Sequence, residues 1–392
     1  MCRFGVLWAC LVCGLVMPWS AAVGQQEQVL QYRITEDSPK AFGQYIADGT
    51  RLSTTTPEGI RLPTFKDPLP MFCKWVSPMA KGGFRWVAIA RSLAKGPYDL
   101  LYMDTNGDGN LDDEAPLKGS TERVDTVWYA RFKPVRMVLD GPDGPAIYHI
   151  SVHTCTAMDN TWCFFRPACW YEGEISIDGS ILQCRLLDGN SNGAFNDELD
   201  WAVVDDRKGN FSRLRGRGFV DVNGTLYALD VAQDGARVRF KKAEDVRCGR
   251  LRVPQQLVSL TILGDQGEFR LVPRERAYVL PVGTYYIRNW SMKRLDAAGR
   301  VWTAEARVER TSRNHIELLD GKEVLPSNIG EPFVCKVQAR TRADVLVIQQ
   351  QLIGHMGEAI TLLVNGKRPA PPSLDIRDST GGYEKDLSFS YG

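Results

Sequence analysis

"WYEGEISIDGSILQCRLLD", residues 170–188, reads as strand, turn, strand: two runs of alternating apolar and polar side chains on either side of a polar break. Alternation with period two sets one face of each run against a core and leaves the other to water. The same grammar recurs along the chain. "TLYALDVAQDGARVRF" (residues 225–240) alternates on both sides of an Asp-Gly turn, a strong hairpin signal. "SLTILGDQGEFRLV" (259–272) repeats it, as do "VLPVGTYYIRNWSM" and "DAAGRVWTAEARVE" within 279–309. Long amphipathic helical windows are missing. The expected fold is therefore mainly β, a multi-domain sandwich or barrel architecture.

The hairpin at 170–188 runs directly into "DGNSNGAFNDEL" (188–199), and this join has an echo. Residues 86–104, "WVAIARSLAKGPYDLLYMD", are another strand, turn, strand, and they run into "DTNGDGNLDDEA" (104–115). Trp86 and Trp170 each precede the first loop Asp by 18 residues. Aligned without gaps, the loops share Asp at position 1, Asn at 3, Asp or Asn at 5 and Gly at 6. A large apolar residue follows at 8 (Leu111, Phe195), then Asp-Glu at 10 and 11. Duplication of one hairpin-plus-loop unit is the economical explanation.

Oxygen-bearing side chains at 1, 3 and 5, a bend at Gly 6 and a carbonyl at 7 form the donor pattern of a curled loop around a hard cation such as Ca²⁺. In the first loop these are Asp104, Asn106, Asp108 and Asn110; in the second they are Asp188, Asn190, Asn192 and Ala194. A helix–loop–helix calcium hand closes with a bidentate Glu at position 12, but Ala115 and Leu199 stand there. Both loops carry acids just before it, Asp113-Glu114 and Asp197-Glu198, which become the expected closing ligands. Anionic Asp108, against neutral Asn192, predicts tighter binding at the first loop. The bland alternative is that Asp, Asn and Gly are what turns are made of; two loops in one register weigh against it.

The chain is 392 residues long with a formal net charge of +1. A balance so near zero argues against nucleic acid as a partner. Arg3, an apolar run over residues 4–16, Pro18 and Ser20-Ala21-Ala22 read as an export signal over residues 1–24, too short to span a membrane. That places the protein in the periplasm, at the cell surface or in the medium, with no transmembrane segment. Of ten cysteines, Cys73, Cys155, Cys163, Cys169, Cys184, Cys248 and Cys335 lie beyond the signal. In an oxidising compartment some would pair, most readily within the cluster at 155–184, and an odd number leaves one over. Beyond the signal no CxxC occurs, which excludes a zinc ribbon and a thioredoxin-type motif.

Catalytic constellations are weak. "GNSNG" (189–193) formally matches a nucleophile elbow around Ser191, but "AFNDELDWAVVDD" does not promise the helix that must follow. His149 and His153 share a strand face roughly 13 Å apart, too far to share a metal. His315 and His355 have no metal-ligand pattern around them. The basic run "RKGNFSRLRGRGF" (207–219) suits an anionic polysaccharide or, more commonly, a solvated loop.

"YDLLYMDTNGDGNLDDE", "DGNSNGAFNDELDWAVVD" and the ending "VNGKRPAPPSLDIRD…LSFSYG" together resemble exported bacterial proteins of planctomycete type, which carry EF-hand-like DxNxDG and DxNxNGxFxD loops in a β-rich body. The resemblance implies calcium positions at Asp104, Asn106, Asp108 and Asp113 and at Asp188, Asn190, Asn192 and Asp197; it implies no particular reaction. "VLPVGTYYI" is similar to a strand-turn of carboxypeptidase-regulatory-like sandwich modules. The expected organisation is a first β unit over 25–118, a second over 119–247, a sandwich module over 248–325 and a C-terminal β module over 326–392. The expected function is calcium-stabilised and non-catalytic, with a cell-surface protein or polysaccharide as possible partner. The alternative is a secreted hydrolase or glycan-binding protein for which the calcium sites are scaffolding.

Overall fold

The computed structural model describes residues 27–36, 49–66, 68–93, 96–158, 160–216, 218–309, 314–343 and 345–391. The expected export signal lies outside them. Among the described residues the chain is β-rich and sandwich-like: strands in sheets that are antiparallel but for the pairing of Cys248–Leu251 with Glu323–Val324, one short 3-10 turn (Lys81–Gly83) and no α-helix. No helix is long and apolar enough to cross a membrane.

Both predicted hairpins form, and each is the centre of a four-strand meander. Met71–Val76, Phe84–Arg91, Tyr98–Met103 and Leu117–Lys118 pair in chain order, with residues 104–115 joining the last two. Gln31–Ile34, Cys169–Ile177, Ser180–Leu187 and Trp201–Asp205 pair in the same sense, with residues 188–199 joining the last two. Each acidic loop thus connects equivalent strands of its own meander.

The second meander does not stop at its last strand. Trp201–Asp205 pairs with Phe211–Arg215, which pairs with Gly267–Leu271 and so leads into the C-terminal part of one 13-stranded sheet. Segments on either side of residue 248 thus contribute strands to one hydrogen-bonded sheet. Residues 248–254 begin with a strand, Cys248–Leu251, held between Tyr278–Pro281 and Glu323–Val324. At the far edge, Val334–Arg342 and Val345–Ile353 form a hairpin joined to Ala359–Val364 through the single pair Ile353↔Ala359.

One apolar core runs from Leu30 to Ile360 through all the larger sheets. The Phe84–Arg91 strand is buried on both faces because its alternate residues serve two cores. Val87 and Ile89 enter the main one; Ala88 and Ala90 enter a smaller one with Phe72, Tyr102 and Leu111. Ile60, Leu62 and Phe65, from the Pro- and Thr-rich segment before the first meander, cover that smaller core. Phe65 meets Phe72 and Tyr102 edge-on at ring-centre distances of 6.0 and 5.3 Å.

Candidate metal-binding loops

The two loops trace the same backbone path through their first seven positions. Glycine at position 6 takes positive φ in both, +75° at Gly109 and +85° at Gly193. Position 4 does so too: Gly107 at +81° and Ser191 at +62°, where a side chain carries the strain glycine avoids. The position-1 carboxylate accepts from the position-6 amide, Gly109 N to Asp104 Oδ2 at 3.2 Å and Gly193 N to Asp188 Oδ2 at 2.7 Å. Asn106 and Asn190 Oδ1 accept from the amides of Asp108 and Asn192 at 3.0 and 3.2 Å. Asp108 and Asn192 Oδ1 accept from Asn110 and Ala194 N, both at 2.8 Å.

This chaining distinguishes the loops from ordinary polar turns in the same molecule. At Asp206 and Asp296 one carboxylate gathers the nearby amides and the motif ends there. In the loops, successive side chains at 1, 3 and 5 each cap the backbone ahead. The chain therefore winds around those side chains rather than past them.

Beyond position 7 the loops diverge. In the first, Glu114 folds back to position 2, its Oε1 accepting from Thr105 N at 2.5 Å and from Thr105 Oγ1 at 2.9 Å. Burial raises the Glu114 pKa above the usual carboxylate range; the Thr105 donors oppose this and Asp113 and Asp104 add to it. Asn106 and Asp108 are exposed, as is Asp113. In the second loop Asp197 closes instead. Its Oδ2 accepts from Asn190 Nδ2 and Asn192 Nδ2, both at 2.8 Å, so four predicted residues, Asp188, Asn190, Asn192 and Asp197, are linked around one turn. Glu198 is exposed.

A residue outside the predicted set completes the second loop. Asp200, at position 13, is only 2% exposed; its Oδ1 accepts from Gly189 N at 2.9 Å and its Oδ2 from Asp197 N at 2.8 Å. Pro116 occupies that position in the first loop. Burial, with Asp188 nearby, pushes the Asp200 carboxyl up to about 8. Burial likewise raises Asp188 to about 6, against the pull of Tyr148 and of the amides of Gly193, Asn192 and Ser191. No family model, curated protein or solved structure matches this chain.

The loops are anchored from outside by different neighbours. Leu111 N donates to Arg61 O and Arg61 N to Gly109 O, at 2.9 and 3.1 Å, pinning the first loop to the segment over the small core. The Arg85 guanidinium, buried, packs where a Cβ on Gly107 would stand. Phe195 N donates to Gln233 O at 2.9 Å, and the Phe195 ring meets Tyr171 edge-on at 5.2 Å. Trp75 Nε1 donates to Ser191 O at 2.7 Å, and the Trp75 ring stacks on Tyr148. One strand, Val135–Gly141, touches both loops: Val138 N donates to Thr105 O at 2.9 Å, and Leu139 lies against Gly193.

Among the described residues no group of three or more His, Cys, Asp and Glu side chains is arranged to hold a metal ion. The donors in the loops are a mixture of carboxylate, side-chain amide and backbone carbonyl, which is oxygen chemistry suited to Ca²⁺ rather than to zinc. The remaining sequence candidates have structural occupations. No helix follows Ser191, so the elbow geometry is missing. His149 Nδ1 bonds to Tyr32 Oη at 2.9 Å. His153 is driven down to about 4 by burial and by Arg166 and Arg131. In the basic run Arg207 pairs with Glu174, while Arg213 and Arg215 stack on Trp201.

Proposed function

We propose that this is an exported, non-catalytic calcium-binding protein of the cell envelope or secreted fraction, with Ca²⁺ at the two acidic loops stabilising a β-rich body. The observation that carries the reading is the shared path of positions 1 to 7 in loops that join equivalent strands of two meanders. A turn that needed only to reverse the chain would have no reason to repeat three side-chain caps in register.

Asp188, Asn190, Asn192 and Asp197 would supply side-chain oxygens in the second loop, with Ala194 contributing its carbonyl. Asn190 and Asn192 would keep capping the backbone through Oδ1 and offer the second lone pair of that oxygen to the ion. Asp104, Asn106 and Asp108, with the carbonyl of Asn110, would serve the first loop; Glu114 would hold it closed through Thr105. Asp113 and Glu198 stand at the exposed rims. The ion's contribution is electrostatic and structural: it neutralises converging oxygens and stabilises the native state by mass action. The resemblance to exported bacterial proteins with such loops agrees with this assignment.

Isothermal titration of the full chain with Ca²⁺, paired with melting in calcium and in chelator, tests it. Two oxygen-ligand sites with Kd values of about 10⁻⁴ to 10⁻³ M are expected. At about 100-fold excess over Kd each site adds about 2.7 kcal/mol. No heat of binding together with superimposable melting curves would sink the proposal.

A further inference from the structure

Two cysteines far apart in sequence meet in the main core. Cys73 lies on the Met71–Val76 strand, opposite Val87. Cys163 lies on Asn160–Pro167, opposite Thr154 on one side and Thr50 on the other. Residues 50–53 bring the two strands together. Thr50 is in register with Cys163, while Ser53 and Phe72 exchange backbone hydrogen bonds at 2.9 and 2.7 Å. Both cysteine side chains face the same core, Cys163 fully buried and Cys73 nearly so. The Cys73 thiol lies close enough to add to the effect of burial in raising the Cys163 thiol above its ordinary range.

We infer that Cys73 and Cys163 form a disulfide in the exported protein, linking the sheet that carries the first acidic loop to the six-stranded sheet that carries Tyr148. The cluster at 155–184 offers no comparable pair. Cys155 sits in register with Trp162, next to but not opposite Cys163. Cys169 Sγ donates to the His149 carbonyl, and Cys184 lies opposite Gly173 and Val204. All seven cysteines in the described residues are thiols.

The oxidant is a small-molecule or protein disulfide of the exporting compartment. One cysteine thiolate attacks a donor sulfur, forming a mixed disulfide and releasing one donor thiolate. The second cysteine thiolate then attacks the protein sulfur of that mixed disulfide and releases the other donor thiolate. Two cysteine protons end on the two donor thiols, and the two electrons leave with them. Burial pushes the Cys163 thiol well above its ordinary range, which disfavours thiolate exchange at that sulfur once the core has closed.

The test is to fold the full chain in a glutathione redox buffer, denature it, alkylate free thiols and map peptides without reduction. The expected result is one dominant cross-link, Cys73 to Cys163, with the other five cysteines beyond residue 24 alkylated. Melting of the oxidised protein should lie several degrees above that of protein folded under reducing conditions. Cys73→Ala and Cys163→Ala should each remove that redox-dependent shift, and the double substitution should remove no more than either single one. Alkylated Cys73 and Cys163 in correctly folded protein from that redox buffer, or a dominant cross-link to another cysteine, would overturn it. Peptide mapping of the wild-type chain gives this answer even where a variant fails to fold.

Discussion

Tyr148 Oη donates to Asp188 Oδ2 across 2.7 Å, inside a core where both side chains are almost fully buried. The phenol comes from the six-stranded sheet and the carboxylate from the start of the second loop, so this bond fixes the loop to a sheet outside its own meander. Removing one partner leaves a buried acceptor short of a donor. Tyr148→Phe should cost about 1–3 kcal/mol. A denaturant midpoint shift measured in chelator reads the loss directly, and an unchanged midpoint would show that the bond carries no net stability.

Calcium dependence should divide between the loops. Asp104→Ala and Asp188→Ala should each remove part of the calcium-induced rise in melting temperature, and the double substitution should remove all of it. Titration calorimetry should count one fewer site for each single substitution. A full calcium response in the double variant would place the binding elsewhere.

The closing acids make a sharper case. Asp197 gathers Asn190 and Asn192, whereas Glu198 faces solvent. Asp197→Asn should weaken calcium binding at the second loop by about tenfold or more, while Glu198→Gln should stay within about 0.5 kcal/mol of the parent. In the first loop Glu114→Gln should loosen closure on Thr105 and Asp113→Asn should have the smaller effect. Calorimetry on the four variants ranks them.

The Asp188–Asp200 pair sets a pH dependence for the calcium-free protein. Both carboxyls have raised pKa values in the fold, to about 6 and about 8. Between the unfolded value near 3.8 and these values the native state holds protons that the unfolded chain has released. Stability contributed by the pair is therefore present below about pH 4 and falls as pH rises toward 8, by at most about 1.4 kcal/mol per pH unit for each proton retained. Melting in chelator from pH 5 to pH 8 should show the decline, and Asp200→Asn should flatten its upper half. Calcium should also flatten it, because an ion at the loop favours the ionised form.

Glycine at position 189 is a packing requirement. A Cβ there would overlap the Leu199 carbonyl oxygen, which is backbone and has nowhere to move without opening the loop. Gly189→Ala should cost on the order of 3 kcal/mol. Gly59→Ala, at positive φ with open space around it, should cost only about 1 kcal/mol from backbone strain. Equal effects at both sites would remove the steric argument.

The hairpins were legible because period-two alternation is a local signal, and Trp170 to Asp188 carries it without help from the rest of the chain. The first seven loop positions were legible for a similar reason: the caps at Asp104, Asn106 and Asp108 reach only a few residues ahead. Asp200 lay one place beyond the motif being matched. Its only sequence trace is the spacing from Asp197, which lets its carboxylate reach back to the Asp197 amide. Tyr148 left no trace, since forty residues separate it from Asp188 and a strand tyrosine looks like any other core residue. Continuity of the large sheet across residue 248 was equally hidden, because pairing partners are set by topology rather than by composition.

One late hairpin has a different consequence. Val334–Arg342 and Val345–Ile353 meet the body of the sheet through one residue pair, and valines 334, 337 and 345 are more than half exposed. A two-stranded ribbon whose cover is slight, Leu352 being its contact with the main core, has little to hold it shut. In hydrogen-exchange terms this ribbon is its own foldon, and its amides should exchange through local opening that leaves Trp290 and the core beneath untouched.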